Sequence, residues 1–350
     1  CQKLSNYKLT YFTSKLLLYE ELVNVGRPAH FSVNSVKDAT LPMLHPIIAA
    51  GSDRCEMLKS FFGLTYEQLR HEKIDLDLHI DYISKKGYIS FNLTDPRLNR
   101  VFGNGRSVVV LIHGFMESSE GMMVQGLAPE LLKREGLTIL ALDGRKIINF
   151  EYFRSSTYVR FMGEKLGKLL AQAINIGQPA SNITLIGHSL GAHIAGVAGK
   201  QVSRLTHQLL GRIVALDPAG PCFSNVSAQG KLDAGDAAYV DAVHTSAGML
   251  GLNEPVGHKD FYPNGGMTQN GCYMSTCDHT RAWIYFMESL IKPNIYPARK
   301  CDSWTMFKEG NCSKNEIAFM GLESVAGSNG SYYLNTGTLP PYGLGAEGSL

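Results

Sequence analysis

The sequence predicts an α/β protein, a mostly parallel sheet with helices on both faces. Three observations carry that prediction. Strand-like and helix-like segments alternate from about residue 74 to residue 290, the order that builds crossover units. One run, Ser107-Val-Val-Val-Leu-Ile112, is apolar without alternation, as expected of a central strand covered on both faces. The chain has 350 residues, 44% hydrophobic and 18% charged, enough to bury a full-sized core.

Residues 1–72 differ from the rest. They hold Pro28, Pro42 and Pro46 and few clean strands, with helix candidates at 53–62 and 65–72. They read as an N-terminal extension packed on a main domain of residues 73–350, or as a mobile pro-like segment. Ile74, Leu76, Leu78 and Ile80 alternate with polar residues, the period of a half-buried strand, and 88–93 can pair with it as a hairpin. After the 107–112 strand come a helix at 128–135, a strand at 137–142 and a helix at 158–174. A strand at 183–186 runs into a glycine-flanked serine and a helix at 192–203. Strands at 213–216 and 239–243 follow, then a helix at 280–290. The Gly-, Ser- and Pro-rich tail from Ser328 reads as mostly loop.

Composition excludes some partners. There are 33 Lys and Arg against 31 Asp and Glu, a net charge of +2, so no electrostatic case exists for nucleic acid. No stretch approaches the roughly 20 apolar residues that span a bilayer. The chain begins at Cys1 with neither Met nor an apolar leader, as after signal-peptide removal or trimming. Of seven cysteines, Cys272 and Cys277 lie close together, as do Cys301 and Cys312, the spacing of local disulfides. No C-x-x-C pair argues for zinc. Cys222 is expected to be free, with Cys1–Cys55 a weaker pairing. Sequons at Asn92, Asn182, Asn225, Asn311 and Asn329 join the cysteine pairs in favouring a secreted glycoprotein.

The stretch Ile183-Thr-Leu-Ile-Gly-His-Ser-Leu-Gly191 is the most informative in the chain. Strand, tight turn and helix, with Ser189 at the apex, are what a nucleophile elbow requires. Gly187 and Gly191 let strand and helix approach closely around a strained turn. The bland alternative is a small-residue turn with an ordinary serine. A serine hydroxyl needs a histidine base, and the base a carboxylate to orient it. In the α/β-hydrolase order these follow as serine, acid, histidine. Asp217 ends the apolar strand after the serine and precedes Pro218, which favours a turn; Asp241 and Asp260 are weaker candidates. His244, His258 and His279 all follow, and periodicity does not choose among them. The attacked carbonyl also needs two backbone N–H donors. Leu190, just after the serine, offers one, and Phe115 in His113-Gly-Phe-Met116 offers the other.

Five motifs, in order, resemble the pancreatic lipase family: Gly187-His-Ser-Leu-Gly-Ala-His193, Leu216-Asp-Pro-Ala-Gly-Pro-Cys222, Tyr239-Val-Asp-Ala-Val-His-Thr245, Asp260-Phe-Tyr-Pro-Asn-Gly-Gly266 and Cys277-Asp-His-Thr-Arg281. The similarity covers roughly residues 74–344. It implies an α/β-hydrolase fold, a triad of Ser189, Asp217 and His279, and an oxyanion hole from Phe115 and Leu190. The resemblance, not periodicity, selects His279. It further implies a structural calcium loop in Lys231-Leu-Asp-Ala-Gly-Asp236, with Asp233 and Asp236 as its carboxylates; the alternative is a polar surface loop before a strand. No redox cofactor is implied.

The chain departs from digestive lipases of that family in three respects. Only four residues separate Cys272 from Cys277, too few for a lid helix, and the 247–257 loop is also short. Both are similar to the phospholipase A1 branch. No C-terminal β-sandwich is expected before Leu350, and the N-terminal extension is longer. The expected function is therefore hydrolysis of lipid carboxylic esters at a membrane or lipid-droplet surface, phospholipid first and neutral glyceride or galactolipid second. The rival from another class is a lipid-carrier or storage protein similar to insect yolk proteins, which share this fold without the serine.

Overall fold

The computed structural model describes residues 54–350 apart from 103–104, 150 and 225. Two short helices come first, α1 (Cys55–Phe62) and α2 (Tyr66–Leu69). A hairpin follows, β1 (His79–Ser84) and β2 (Gly87–Asn92). Then the crossover pattern sets in: β3 (Ser107–Ile112), α3 (Met122–Leu131), β4 (Leu137–Asp143), α4 (Tyr152–Asn175), β5 (Ile183–His188), α5 (Leu190–Thr206), β6 (Leu210–Leu216), β7 (Ala237–Val243) and β8 (Lys259–Pro263). The chain continues through α6 (Ser275–Ile291), β9 (Pro297–Lys300), α7 (Trp304–Lys308), β10 (Ile317–Phe319) and β11 (Gly330–Leu334).

The strands form one sheet in the order β10-β9-β11-β8-β7-β6-β5-β3-β4-β1-β2. From β4 through β11 every pairing is parallel; β1 and β2 at one edge and β9 and β10 at the other run antiparallel. The fold class read from the sequence is therefore the one found. β3, β5 and β6 are almost wholly buried because each face meets a helix layer. On one face α4 and α5 pack with Val108, Val110, Leu185 and Ile213. On the other α3 and α6 pack with Val109, Leu111, Ile186 and Val214. Alternate residues of continuous apolar strands thus feed two separate cores.

Several sequence expectations need correction. The alternation from Ile74 to Ile80 is a strand only from His79. Its first part is a turn, with the Asp77 and Leu78 N–H groups both donating to the Ile74 carbonyl. Ile74 and Leu78, four apart, face inward while Leu76 stays 78% exposed, so helical spacing imitated a strand period. Helix α3 starts six residues earlier than expected and carries Pro129 within it. The tail, expected to be mostly loop, holds one strand, β11, in which Tyr332 and Leu334 are buried and pair beside β8. The sequence reading offers no strand at 259–263, 297–300 or 317–319, where β8, β9 and β10 lie.

Residues 55–72 pack on α4. Tyr66 stacks on Phe161 at 4.4 Å, and its hydroxyl donates to Glu164 at 2.9 Å. Cys272–Cys277 and Cys301–Cys312 are bridged as expected. Cys222 is not free: it bonds Cys55, 167 residues away, with Cα atoms 5.4 Å apart. Spacing along the chain could not reveal this, because only the docking of α1 brings Cys55 to the loop after β6. Cys55 is therefore not available to Cys1, which lies outside the described residues.

Candidate active site

Ser189 stands between β5 and α5 with φ +56° and ψ −121°, a conformation that costs a non-glycine residue on the order of 1–3 kcal/mol. The surroundings enforce it. Ser189 N–H donates to the Leu216 carbonyl at 3.0 Å, and its own carbonyl accepts the Ala219 N–H at 3.2 Å. The flanking glycines are steric necessities: a Cβ on Gly187 would drive into the Gly191 carbonyl, and one on Gly191 into the Ile112 carbonyl. Leu190 begins the helix that follows, so its N–H belongs to the unsatisfied first turn.

Asp217 ends β6 on a left-handed residue, φ +44°, and is fully buried. Its Oδ1 accepts the N–H groups of Thr245 and Ser246 at 2.8 and 3.1 Å. Its Oδ2 meets His279 Nδ1 at 2.5 Å. Of the three histidines left open by spacing, His279 is the one that reaches Asp217. His244 instead sits between Asp260 Oδ1 at 2.8 Å and the Leu252 carbonyl at 3.1 Å. His258 Nδ1 accepts the Val240 N–H. Asp241 is committed to Arg212.

Ser189 and His279 line one cleft of about 200 Å³. Phe115, Met116, Met122 and Leu250 make its walls largely apolar. Phe115 packs edge-on against Tyr152 at 5.3 Å, and Tyr152 is fixed by donating to the Pro221 carbonyl at 2.9 Å. Burial lowers the pKa of His279, and the neighbouring His188 lowers it further, against the pull of Asp217. Half-buried Glu117 and buried His188 also line the cleft; sequence reasoning passed over both, although His188 lies inside the serine motif itself.

The loop expected to hold calcium is closed from within. Lys200 Nζ reaches both oxygens of Asp236 at 2.5 and 2.6 Å and the Lys231 carbonyl at 2.9 Å. Asp233 Oδ1 accepts the Gly235 N–H at 3.0 Å. Burial, opposed by Lys200, pushes the Asp236 carboxyl up to about 6. A hard cation wants ionised, open oxygens, whereas both oxygens of Asp236 already meet an ammonium counter-ion, so the arrangement does not fit calcium. Among the described residues no group of three or more His, Cys, Asp or Glu is placed to hold a metal ion.

A parallel sheet flanked by helices, with a strand–serine–helix elbow at its carboxyl edge, defines an α/β-hydrolase. The profile of the Lipase family matches residues 84–342; the chain belongs to that family. It is 31% identical over 270 residues to rabbit (Oryctolagus cuniculus) pancreatic triacylglycerol lipase, covering 67% of this chain and 57% of that protein. To human (Homo sapiens) pancreatic lipase-related protein 3 it is 31% identical over 281 residues, covering 69% and 58%. To mouse (Mus musculus) pancreatic triacylglycerol lipase it is 30% identical over 240 residues, covering 61% and 51%. The chain thus spans little more than half the length of these relatives.

Proposed function

We propose that the protein is a secreted carboxylic ester hydrolase acting on lipids through an acyl-enzyme. Ser189 Oγ attacks the ester carbonyl, and His279 takes its proton and delivers it to the leaving alcohol. Asp217 holds the imidazole with Nδ1 protonated. The N–H groups of Leu190 and Phe115 receive the oxyanion. Water, activated by His279, then releases the fatty acid. The observation that carries this reading is the hydrogen bond between Asp217 and His279 at the edge of the cleft that also holds Ser189.

The apolar cleft walls fit an acyl chain, and the bulk of the lipid would remain at a membrane or droplet surface. Phospholipid is the preferred substrate class in this reading, because only four residues lie between bridged Cys272 and Cys277, and a polar head group finds room there. Secretion is supported by three disulfides, which persist in oxidising compartments, and by exposed sequon residues Asn311 and Asn329. Among the described residues no helix is long and apolar enough to cross a membrane.

The test is hydrolysis of phosphatidylcholine and triolein, side by side, by the wild type and by Ser189→Ala. The wild type should cleave phosphatidylcholine faster. The variant should keep its circular dichroism and lose activity on both, by a factor on the order of a million as in other serine hydrolases. Activity surviving in Ser189→Ala overturns the triad; a strong preference for triolein overturns the phospholipid reading alone.

A further inference from the structure

Glu117 and His188 take no part in the acyl transfer, yet they lie beside it, His188 buried and Glu117 half-buried. Glu117 Oε2 accepts the Gly114 N–H at 3.0 Å and faces His188 Nδ1 at 3.4 Å. Across the ring, His188 Nε2 lies 3.2 Å from the carbonyl oxygen of His279, and the two imidazoles are 4.5 Å apart. His188 therefore has an acceptor at each ring nitrogen. A neutral imidazole satisfies only one of them; an imidazolium satisfies both.

The surrounding charges agree. Burial pulls the His188 pKa down, but the hydrogen bond and charge of Glu117 raise it by more, helped by the His279 carbonyl and Asp217. Burial pushes Glu117 up, and His188 with the Gly114 N–H brings it to about 2. The other titratable group facing Glu117 is His113. Its Nε2 accepts the Gly144 N–H at 3.0 Å, so its hydrogen lies on Nδ1, which donates to the Gly114 carbonyl at 2.9 Å. His113 is neutral, its pKa lowered by burial, with Glu117, Asp143 and Arg145 acting on it more weakly.

These bonds bear on the donor turn. The Gly114 carbonyl and the Phe115 N–H belong to one planar peptide unit and point in opposite directions. Anchoring that carbonyl on His113 sets the direction of the Phe115 N–H, and anchoring the preceding N–H on Glu117 holds the unit next to it. The chain from donor to base is then continuous: Gly114, Glu117, His188, His279.

We propose that Glu117 and a doubly protonated His188 are positioning residues, which tie the Phe115 oxyanion donor to the backbone of His279 so that donor and base hold their relative placement. This rests on the triad reading above. A cationic His188 also favours the neutral, proton-accepting form of His279.

The experiment is nitrogen-15 NMR of histidine-labelled protein between pH 6 and 8, with the His188 signals assigned by their loss in His188→Gln. Both His188 nitrogens should stay in the protonated range throughout. In Glu117→Gln they should not, and kcat on a short-chain ester should fall about 10- to 100-fold with KM changed less than about twofold. That loss is smaller than the roughly 100- to 1,000-fold of deleting an oxyanion donor outright. A wild-type His188 with one unprotonated nitrogen at pH 7 overturns the proposal, as does Glu117→Gln with unchanged kcat. If Glu117→Gln does not fold, the wild-type spectrum decides. In Ser189→Ala the His188 signature should persist whatever happens to activity, which separates this proposal from the triad itself.

Discussion

His279 sits where burial and a neighbouring imidazolium both act against its protonation. A general base must be neutral to work, so activity is lost as pH falls through the pKa of this group. Since that pKa lies below the ordinary histidine value of 6.5, the acid limb of kcat/KM should have its midpoint below 6.5. A pH–rate profile on a soluble ester measures it, and a midpoint at or above 6.5 contradicts the assignment of His279 as base. At this scale the sequence is unevenly legible. Ser189 can be read because its neighbours must be glycines for steric reasons visible in the motif. Which histidine reaches Asp217 cannot be read from spacing, because packing sets the paths of the chain: His258 enters β8 beside Val240 in the middle of β7, whereas His244 follows the end of β7 and His279 meets Asp217. His188 is hidden by its own motif, where it looks like filler between glycine and serine.

Among elements, buried parallel strands are the most legible. β3 needs no partner to be recognised, since a run of Val and Leu without alternation has few other uses. β9, β10 and β11 are short and lie toward the antiparallel edge, and Gly and Ser lie near β10 and β11, so their signal drowns in loop composition. The turn at 74–78 shows the opposite error, a real burial pattern with the wrong period. The Cys272–Cys277 loop makes a functional prediction at this scale. It leads directly into α6, whose second residue, Thr276, lines the cleft. A lid must move before substrate enters, and four residues cannot supply one. Hydrolysis of a short-chain ester should therefore rise smoothly as its concentration crosses the solubility limit. A steep jump there would mean that a different segment covers the cleft.

For the whole molecule, the Cys55–Cys222 bond fastens α1 to the loop after β6, one residue from Pro221 in the cleft wall. Cross-links that close long loops restrict the unfolded chain most, and losing a native one typically costs about 2–5 kcal/mol. The double variant Cys55→Ser/Cys222→Ser should therefore melt roughly 3–8 °C lower by scanning calorimetry. It should keep most of its activity at room temperature, because neither sulfur lines the cleft. An unchanged melting temperature would mean that packing on α4 already holds α1 fully.

The same bond changes what a cut in the backbone does. Residues 55 to 222 form a covalent ring that carries β1 through β6, with Ser189 and Asp217 on it and His279 on the strand of chain that leaves it. A protease that severs one peptide link inside the ring opens it without releasing a fragment. Serine, acid and histidine stay on one molecule, and a thiol reductant is what would part them. Outside the cell, where proteases are common and reductants scarce, such an enzyme tolerates a nick that would divide an unbridged chain in two.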